Sequence, residues 1–357
     1  MTNLEKTILA TVAYYDIFDY PLTGFELWRY LIRGEDLSED ATETNLSSAS
    51  SNKSIPTSYN SYEAEAGSPH QIFATAGDMF KALHESEFLR DRISHNFGFY
   101  FLSGRNEIVE KRLWRKKLAD QKWKKLKRVF KALTLVPFVR GIFLSGSLAM
   151  ENSKNDSDVD IIVVAKHGRI WTVRTLMTML TFFLGVRRYG NKTKDRICLN
   201  HYITDESLRI PFESLYNAES YVHLINVYVE DEKVFRRFQE ENSWLQKYIV
   251  NYKVAELRSA RAISRSKILS LVSGVFEFML AGICGNFLEE IFSRIESGRI
   301  RRDSLYTKAG GRITIDDTQL EFHPDSHEYF IIPEFNRRME KLGFSDFANQ
   351  RDSGLNK

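Results

Sequence analysis

Apolar and polar positions form their clearest pattern in residues 139–165, where two apolar runs flank a short polar connection. The first run, residues 142–144, leads into a glycine turn at residues 145–147. The second run, residues 159–164, is mostly β-branched. Apolar runs of this length between turn residues are typical of buried strands. The pattern therefore predicts a strand, a glycine turn with a small helix, and a second strand.

Helical periodicity dominates the first part of the chain. It predicts two helices within residues 4–33, the second capped by Thr23, with Glu26 three positions later completing a capping box. Another helix is expected at residues 72–83, and residues 88–104 read as two short strands around a turn. Helices followed by a hairpin are the order of a winged-helix domain.

Three further elements are expected on either side of the two buried strands. Residues 111–131 interleave basic and apolar side chains, which predicts an amphipathic basic helix. Its charged side is either a solvated surface or the entrance for an anionic ligand. Residues 169–184 carry large apolar side chains at helical spacing, as a crossover helix would, and residues 196–203 predict a third strand.

The remainder of the chain, residues 206–357, is predicted to be mostly helical. Apolar positions at steps of three and four mark one helix face over residues 215–229, and a long helix is expected over residues 262–296. Within it, the apolar stretch 268–288 is broken by polar side chains. We therefore expect a buried helix there, and no membrane span.

Chain length and segment boundaries predict an α+β protein in three parts. At 357 residues, the chain exceeds one ordinary domain core. We expect a winged-helix-like domain at residues 1–104, a small mixed-sheet domain at residues 105–205 and a mostly helical domain at residues 206–357. The segment 36–69 is rich in polar residues and has almost no large apolar ones, which predicts a disordered insertion.

Composition excludes several classes of protein. A hydrophobic share of 43% and a net charge of +3 indicate a globular protein that is not a polycation. The two cysteines, Cys198 and Cys284, lie far apart in apolar surroundings, which argues against a disulfide framework and a cysteine zinc site. Residues 1–16 lack the basic start of an export signal. We expect a cytoplasmic protein.

Asp158 and Asp160 are candidate metal ligands, because alternation along a strand places both carboxylates on one face, about 7 Å apart. Mg²⁺ takes one or two carboxylates and completes its shell with water and phosphate oxygens. Gly146 allows a sharp turn and a close approach to a ligand, and Ser147 adds a hydroxyl donor beside the amides that open the next helix. The structural alternative is a glycine that ends a strand and two solvated aspartates.

Residues 146–161 resemble the signature of the DNA polymerase beta-like nucleotidyltransferase superfamily, with the sequence GSLAMENSKNDSDVDI. The resemblance covers only the middle domain. It implies transfer of a nucleoside monophosphate from a nucleoside triphosphate (NTP) to an acceptor hydroxyl, with two Mg²⁺ ions and release of pyrophosphate. It also implies that Gly146 and Ser147 hold the β- and γ-phosphates. In this family pattern Asp158 and Asp160 hold the metals.

The family carries a third carboxylate on the next strand, where this chain has none. Strict alternation places Cys198, Asn200 and Tyr202 on one face of the third strand. Asn200 is then the candidate for the third catalytic position, although an amide cannot act as a base. Asp195 and Asp205 flank the strand and are the next candidates. The departure leaves open a catalytically weak nucleotide-binding regulator whose winged helix reads DNA.

Basic residues suggest further ligands, and the partners stay open. Lys192 and Lys194 follow the crossover helix and are candidate nucleotide-binding residues, with a solvated surface as the alternative. DNA binding is not favoured, because the expected recognition helix carries Asp78 and Glu85 against Lys81. The acceptor can be a nucleic acid, a protein or a small molecule. An interaction module resembling the antitoxin-type nucleotidyltransferases, which act on a partner protein, is a further alternative.

The C-terminal region contains one more group of metal-ligating side chains: His323, His327 and Glu328. Pro324 lies between the two histidines, so they do not share a helix face. The sequence therefore argues against a metal site formed by these three residues.

Overall fold

A six-stranded mixed sheet forms the centre of the protein. The structure is a computed structural model that describes residues 1–34, 75–190, 192–253, 260–302, 312–323 and 326–344. In spatial order the strands are β7 (Ile225–Val229), β4 (Val139–Leu144), β5 (Val159–Ala165), β6 (Ile197–Thr204), β9 (Gln319–His323) and β8 (Arg312–Ile315). Among these described strands, only β5 and β6 pair in parallel. The predicted α+β class is confirmed, whereas the predicted disordered insertion at residues 36–69 lies outside the described residues.

Strand β5 is buried on both faces, which explains its continuous apolar sequence. Ile161 and Val163 enter one hydrophobic core, while Ile162 and Val164 enter the core on the opposite face. Helix α7 (Ile170–Phe183) connects β5 to its parallel neighbour β6, because parallel strands require a crossover. The three predicted strands and the crossover helix are confirmed.

Strands β7, β8 and β9 come from residues 206–357, for which helices were expected. The helix predicted over residues 215–229 is wrong in its second half, because α8 (Leu215–Val222) ends before β7 begins. Alternating β-branched and aromatic side chains favour a strand there, and the pairing of β7 with β4 overrides the helical spacing. Helix α9 (Glu232–Glu241) follows β7. The hairpin of β8 and β9 extends the sheet at the edge of β6.

The first part of the chain combines four helices with a small sheet. The helices are α1 (Asn3–Asp16), α2 (Gly24–Arg29), α3 (Ala76–Glu85) and α4 (Glu87–Arg90), and the sheet contains β1 (Leu22–Thr23), β2 (Ile93–Asn96) and β3 (Phe99–Leu102) in the order β1-β3-β2. The predicted capping box at Thr23 and Glu26 is confirmed. Helix α3 begins four residues later than predicted, where Thr75 and Asp78 form another capping box. The winged-helix-like domain stays a prediction, and the described elements run in the order α1, β1, α2, α3, α4, β2 and β3.

Helix α5 (Glu107–Leu133) confirms the predicted amphipathic basic helix, but part of its charge is internal. Arg112, Arg115 and Lys122 are buried. Their partners lie far away in sequence: Arg112 pairs with Glu26 at 2.9 Å, Arg115 with Asp19 at 3.1 Å, and Lys122 with Asp195 at 2.9 Å. These cations therefore connect α5 to the N-terminal helices and to the central sheet, and are neither solvated nor an entrance for ligands.

The last described helix, α12 (Glu328–Lys341), packs into the core of the N-terminal region. Phe335 contacts Tyr14 of α1 with ring centroids 5.5 Å apart, and Arg338 forms an ion pair with Asp16. The two ends of the described chain therefore stabilise each other.

The predicted buried helix at residues 268–288 is wrong. The segment forms α10 (Lys267–Leu280) and α11 (Ile283–Arg302), which meet at a bend of 87°. Large apolar side chains on both helices are exposed: Ile268 (74%), Phe278 (85%) and Ile283 (88%). Taken singly, none of the described helices is long and apolar enough to cross a membrane; only the bent pair meets that criterion together.

A buried polar group joins α8 to α1. The Tyr15 hydroxyl donates to the Glu219 carboxylate and lies 2.7 Å from Nε2 of His223. Burial raises the pKa of Glu219 from its ordinary value of 4.5 to about 8, and lowers the pKa of His223 from 6.5 to about 3.

Stability should fall between pH 6.5 and pH 8, because folded Glu219 keeps a proton that the unfolded chain has lost. His223 is neutral in the folded state, and above pH 7 it is mostly neutral in the unfolded state as well. Glu219→Gln should reduce the slope by up to about 1.4 kcal/mol per pH unit, as measured by urea unfolding at several pH values. Glu87→Gln, at a carboxylate 92% exposed, is the control and should leave the slope unchanged. An unaltered slope in Glu219→Gln would contradict the assignment.

Candidate functional site

The predicted glycine turn lies directly against the predicted acidic pair. Antiparallel pairing of β4 and β5 brings the backbone N–H of Ser145 to the carbonyl oxygen of Asp160, at 3.0 Å. Gly146 follows with φ +64°, and opens the four-residue helix α6 (Gly146–Ala149). Ser147 is half-buried beside it, and its backbone carbonyl accepts from the N–H of Asn152 at 2.8 Å. Hydrogen bonds therefore fix the turn on both sides.

Gly146 cannot carry a side chain without disturbing Asp160. A Cβ atom at this position would lie 2.5 Å from Oδ2 of Asp160, well inside van der Waals contact. The positive φ is a second reason for glycine, because L-residues rarely adopt it. The backbone of the turn and the Asp160 carboxylate are therefore in direct contact.

Asp160 of β5 and Asp158, which immediately precedes that strand, lie close to Cys198 of β6. One ligand atom from each of these three residues lies within 4.8 Å of the other two. Burial, and next the neighbouring Asp158 carboxylate, raise the pKa of Asp160 to about 7. The Arg188 guanidinium forms an ion pair with Asp158 at 2.5 Å. A metal ion at the two carboxylates would lower the repulsion that raises this pKa.

Strand β6 does not follow the strict alternation on which the role of Asn200 depends. Asp160 pairs with Cys198, but Ile162 pairs with His201, so β6 has one residue more than β5 between these pairs. This bulge turns His201 to the face of Asp160, whereas Tyr202 enters the core on the other side. The prediction that Cys198 and Tyr202 share a face is wrong.

Asn200 lies at the bulge, and its side-chain nitrogen is 3.3 Å from Nδ1 of His323. The described structure therefore associates Asn200 with a histidine of β9, and the group that includes the two aspartates has Cys198 as its third member. No local pattern in the sequence marks the bulge, because its cause lies in the pairing between strands.

The two flanking acids have other partners. The Asp195 carboxylate pairs with Lys122 of α5 at 2.9 Å. Asp205 follows the far end of β6, where its carboxylate accepts from the backbone N–H of His167 at 2.8 Å. Asp205 is therefore remote from Asp158, at the opposite end of the parallel strands. Asp195 lies just before β6 in the chain, but its carboxylate is paired with the buried Lys122.

The predicted nucleotide-binding lysines lie at the surface. Lys192 is exposed and its Nζ is 2.9 Å from the Tyr189 hydroxyl, and Lys194 is also exposed. The cation that contacts the acidic pair is Arg188, from the same basic segment. It is fixed by the backbone, since its N–H donates to the carbonyl of Ile197 at 3.1 Å. The cluster of basic residues was visible in the sequence, but not which member faces the aspartates.

A second group of metal-ligating side chains lies on the same face of the sheet. His201 of β6 and Glu321 and His323 of β9 also have one ligand atom each within 4.8 Å of the others. From the sequence, His323 was associated only with His327 and Glu328, which lie outside this group, because the pairing of β9 with β6 has no local signal. Glu321 was not predicted at all.

We find no family model, no curated protein and no solved structure that matches this chain. The likeness of residues 146–161 to a nucleotidyltransferase signature therefore rests on the sequence motif alone, and the structure adds the geometry around that motif. That geometry brings together Gly146, Asp158 and Asp160, and it adds Arg188 and Cys198.

Gly146→Ala should lower the free energy of unfolding more than Gly185→Ala does. Gly185 has a similar φ, +66°, but open space around it. The Gly185→Ala variant therefore shows only the free-energy cost of a positive φ in a residue with a side chain, about 1–2 kcal/mol. The clash with Asp160 should add about 1–3 kcal/mol at Gly146. Urea unfolding of both variants provides the comparison.

The double variant Gly146→Ala/Asp160→Ala tests the cause of that extra loss. Removing the carboxylate removes the atoms that the new Cβ would meet, so most of the additional loss should disappear. Equal losses in the two single glycine variants would show that Gly146 is required by its φ alone.

Proposed function

We propose that this chain is a nucleotidyltransferase, which transfers a nucleoside monophosphate from an NTP to an acceptor hydroxyl and releases pyrophosphate. One observation carries the proposal: the Gly146 turn packs directly against the Asp160 carboxylate, with Asp158 close to it. A glycine turn therefore lies beside two candidate metal ligands. Phosphoryl transfer depends on this combination of positioning and charge neutralisation.

The residues of the site fit Mg²⁺. Asp158 and Asp160 would hold the ions, and the raised pKa of Asp160 reflects burial and a repulsion that a divalent cation relieves. When bound, two Mg²⁺ ions neutralise charge at the attacking and leaving oxygens of the transfer.

The other side chains bind and orient the triphosphate. In this proposal the backbone of the Gly146 turn binds the β- and γ-phosphates, and the Ser147 hydroxyl donates to a phosphate oxygen. Arg188 forms an ion pair with Asp158 and is 43% exposed, so its guanidinium is also accessible to an anionic ligand. Lys192 and Lys194 add positive charge at the rim of the site.

A catalytically weak nucleotide-binding regulator is the second candidate, and Cys198 favours it. Burial and the Asp160 carboxylate raise the pKa of the Cys198 thiol to about 12, so the group beside the aspartates cannot accept a proton at neutral pH. In this role the winged-helix-like domain would read DNA. Asp78 and Glu85 of α3 disfavour that contact, because they place negative charge on the expected recognition helix.

The proposal keeps the three-part organisation. Residues 1–104 form a winged-helix-like domain, residues 105–205 the nucleotidyltransferase domain, and residues 206–357 a mostly helical part that also supplies strands to the sheet. We expect a cytoplasmic protein whose acceptor is a nucleic acid, a protein or a small molecule.

A triphosphate should raise the melting temperature only when Mg²⁺ is present, because a ligand that binds the native state adds RT ln(1 + [L]/Kd) to its stability. Asp158→Ala and Asp160→Ala should each remove this shift, measured by thermal unfolding with each of the common NTPs. Asp156→Ala changes an exposed acid of the same loop and should keep it. An undiminished shift in both site variants would exclude the site.

An assay of nucleotide transfer distinguishes between the two proposed functions, enzyme and regulator. An NTP labelled at the α-phosphate, incubated with the protein, Mg²⁺ and cell extract, should pass its label to an acceptor and release unlabelled pyrophosphate. Asp160→Asn should abolish labelling. A Mg²⁺-dependent melting shift without any labelled product would favour the regulator instead, and the labelled species would identify the acceptor class.

A further inference from the structure

Three metal-ligating side chains converge between β6 and β9, apart from the aspartate pair. His201 lies directly opposite Glu321 in the antiparallel register, and His323 follows two residues later on the same face. A nitrogen from each imidazole and a carboxylate oxygen all lie within 4.8 Å of one another. Paired strands hold all three, so their backbone positions are fixed.

The Glu321 carboxylate is buried without a hydrogen-bond partner. Its side chain is 0% exposed, and within the described residues neither oxygen accepts a hydrogen bond. Arg312 approaches to 3.4 Å, and it lies equally far from Glu328, so one guanidinium serves two carboxylates. An ionised carboxylate in this position is costly unless a cation completes its surroundings.

The two imidazoles are available as ligands. The His201 ring is buried in the sheet, and Nε2 of His323 lies 3.7 Å from the Glu321 carboxylate. A neutral imidazole offers the lone pair of one nitrogen to a metal and carries a proton on the other nitrogen.

Two amide side chains hold the rings in place. The Gln319 nitrogen lies 3.3 Å from Nε2 of His201, and the Asn200 nitrogen lies 3.3 Å from Nδ1 of His323. A ring that binds a metal through one nitrogen donates the N–H of the other, so both amide groups would present their oxygen to the ring when the metal is bound. Asn200 would then be a positioning residue for His323.

We propose that His201, Glu321 and His323 form a binding site for a divalent transition-metal ion of the Zn²⁺ class. Two imidazoles and a carboxylate are a known ligand set for Zn²⁺ and leave a fourth position for water or another ligand. The all-oxygen preference of Mg²⁺ distinguishes this site from the aspartate pair. The ion connects β6 to β9 and offsets the buried charge of Glu321.

The test uses the full chain, freed of metal with a chelator and titrated with Co²⁺ as a spectroscopic probe for Zn²⁺. We expect a visible absorption band that saturates at a single equivalent and disappears when Zn²⁺ is added. Glu321→Gln and His323→Gln should each weaken Co²⁺ binding at least about tenfold. His327→Gln is the matched control, because His327 is exposed and outside the group, and should bind as wild type does.

Two further measurements control for misfolding of the variants and for metal binding at the aspartate pair. Circular dichroism checks that the variants fold, and His323→Gln is the milder change because that side chain is 30% exposed. Asp158→Ala should retain the cobalt band. Loss of the band in Asp158→Ala, no band in wild type, or unchanged binding in both Glu321→Gln and His323→Gln would each overturn the proposal. None of these outcomes depends on the Mg²⁺-dependent triphosphate shift, so the nucleotidyltransferase proposal stands or falls separately.

Discussion

Acidic side chains lie close together on one face of the central sheet. The electrostatic free energy needed to hold their charges together is the constraint on which the site depends. Asp160 lies on β5 and Asp158 immediately precedes the strand, and Glu321 lies two strands away on the face of Asp160. Arg188 forms an ion pair with Asp158, and Arg312 approaches Glu321 without a hydrogen bond. Buried carboxylates of this kind either pair with a cation or keep a proton. The sheet therefore carries two groups of side chains that could hold a cation, one of them rich in oxygen and the other in nitrogen.

Local sequence signals predicted the part of the fold that carries the aspartates. Strands β4, β5 and β6 have apolar runs bounded by turn residues, and the glycine turn at Gly146 has its own spacing signal. The bulge in β6 has no such signal, because it is a relation between two strands. Its effect is large, since it selects His201 instead of Tyr202 for the face of the site. Glu321 was missed for the same reason: its neighbours are defined by the distant pairing of β9.

The charged side chains of helix α5 include exposed residues and buried residues with distant partners. Helix α5 looks like a solvated basic helix, yet Lys122 is buried and its Nζ lies 2.7 Å from the carbonyl of Ser157, immediately before Asp158. Long cationic side chains can cross a helix surface to reach such partners, which sequence spacing does not reveal. The same helix therefore supports the loop that presents the acidic pair.

The shared core of α1 and α12 determines when the protein can finish folding. Ile8 and Tyr14 pack with Phe335 and Met339, and nearly the whole described chain separates them. On the ribosome, α1 can pack early with α2, α3, α4 and the small sheet, but the part of its apolar face that α12 covers stays open until α12 emerges. Closure of the N-terminal core must then wait until α12 has been synthesised.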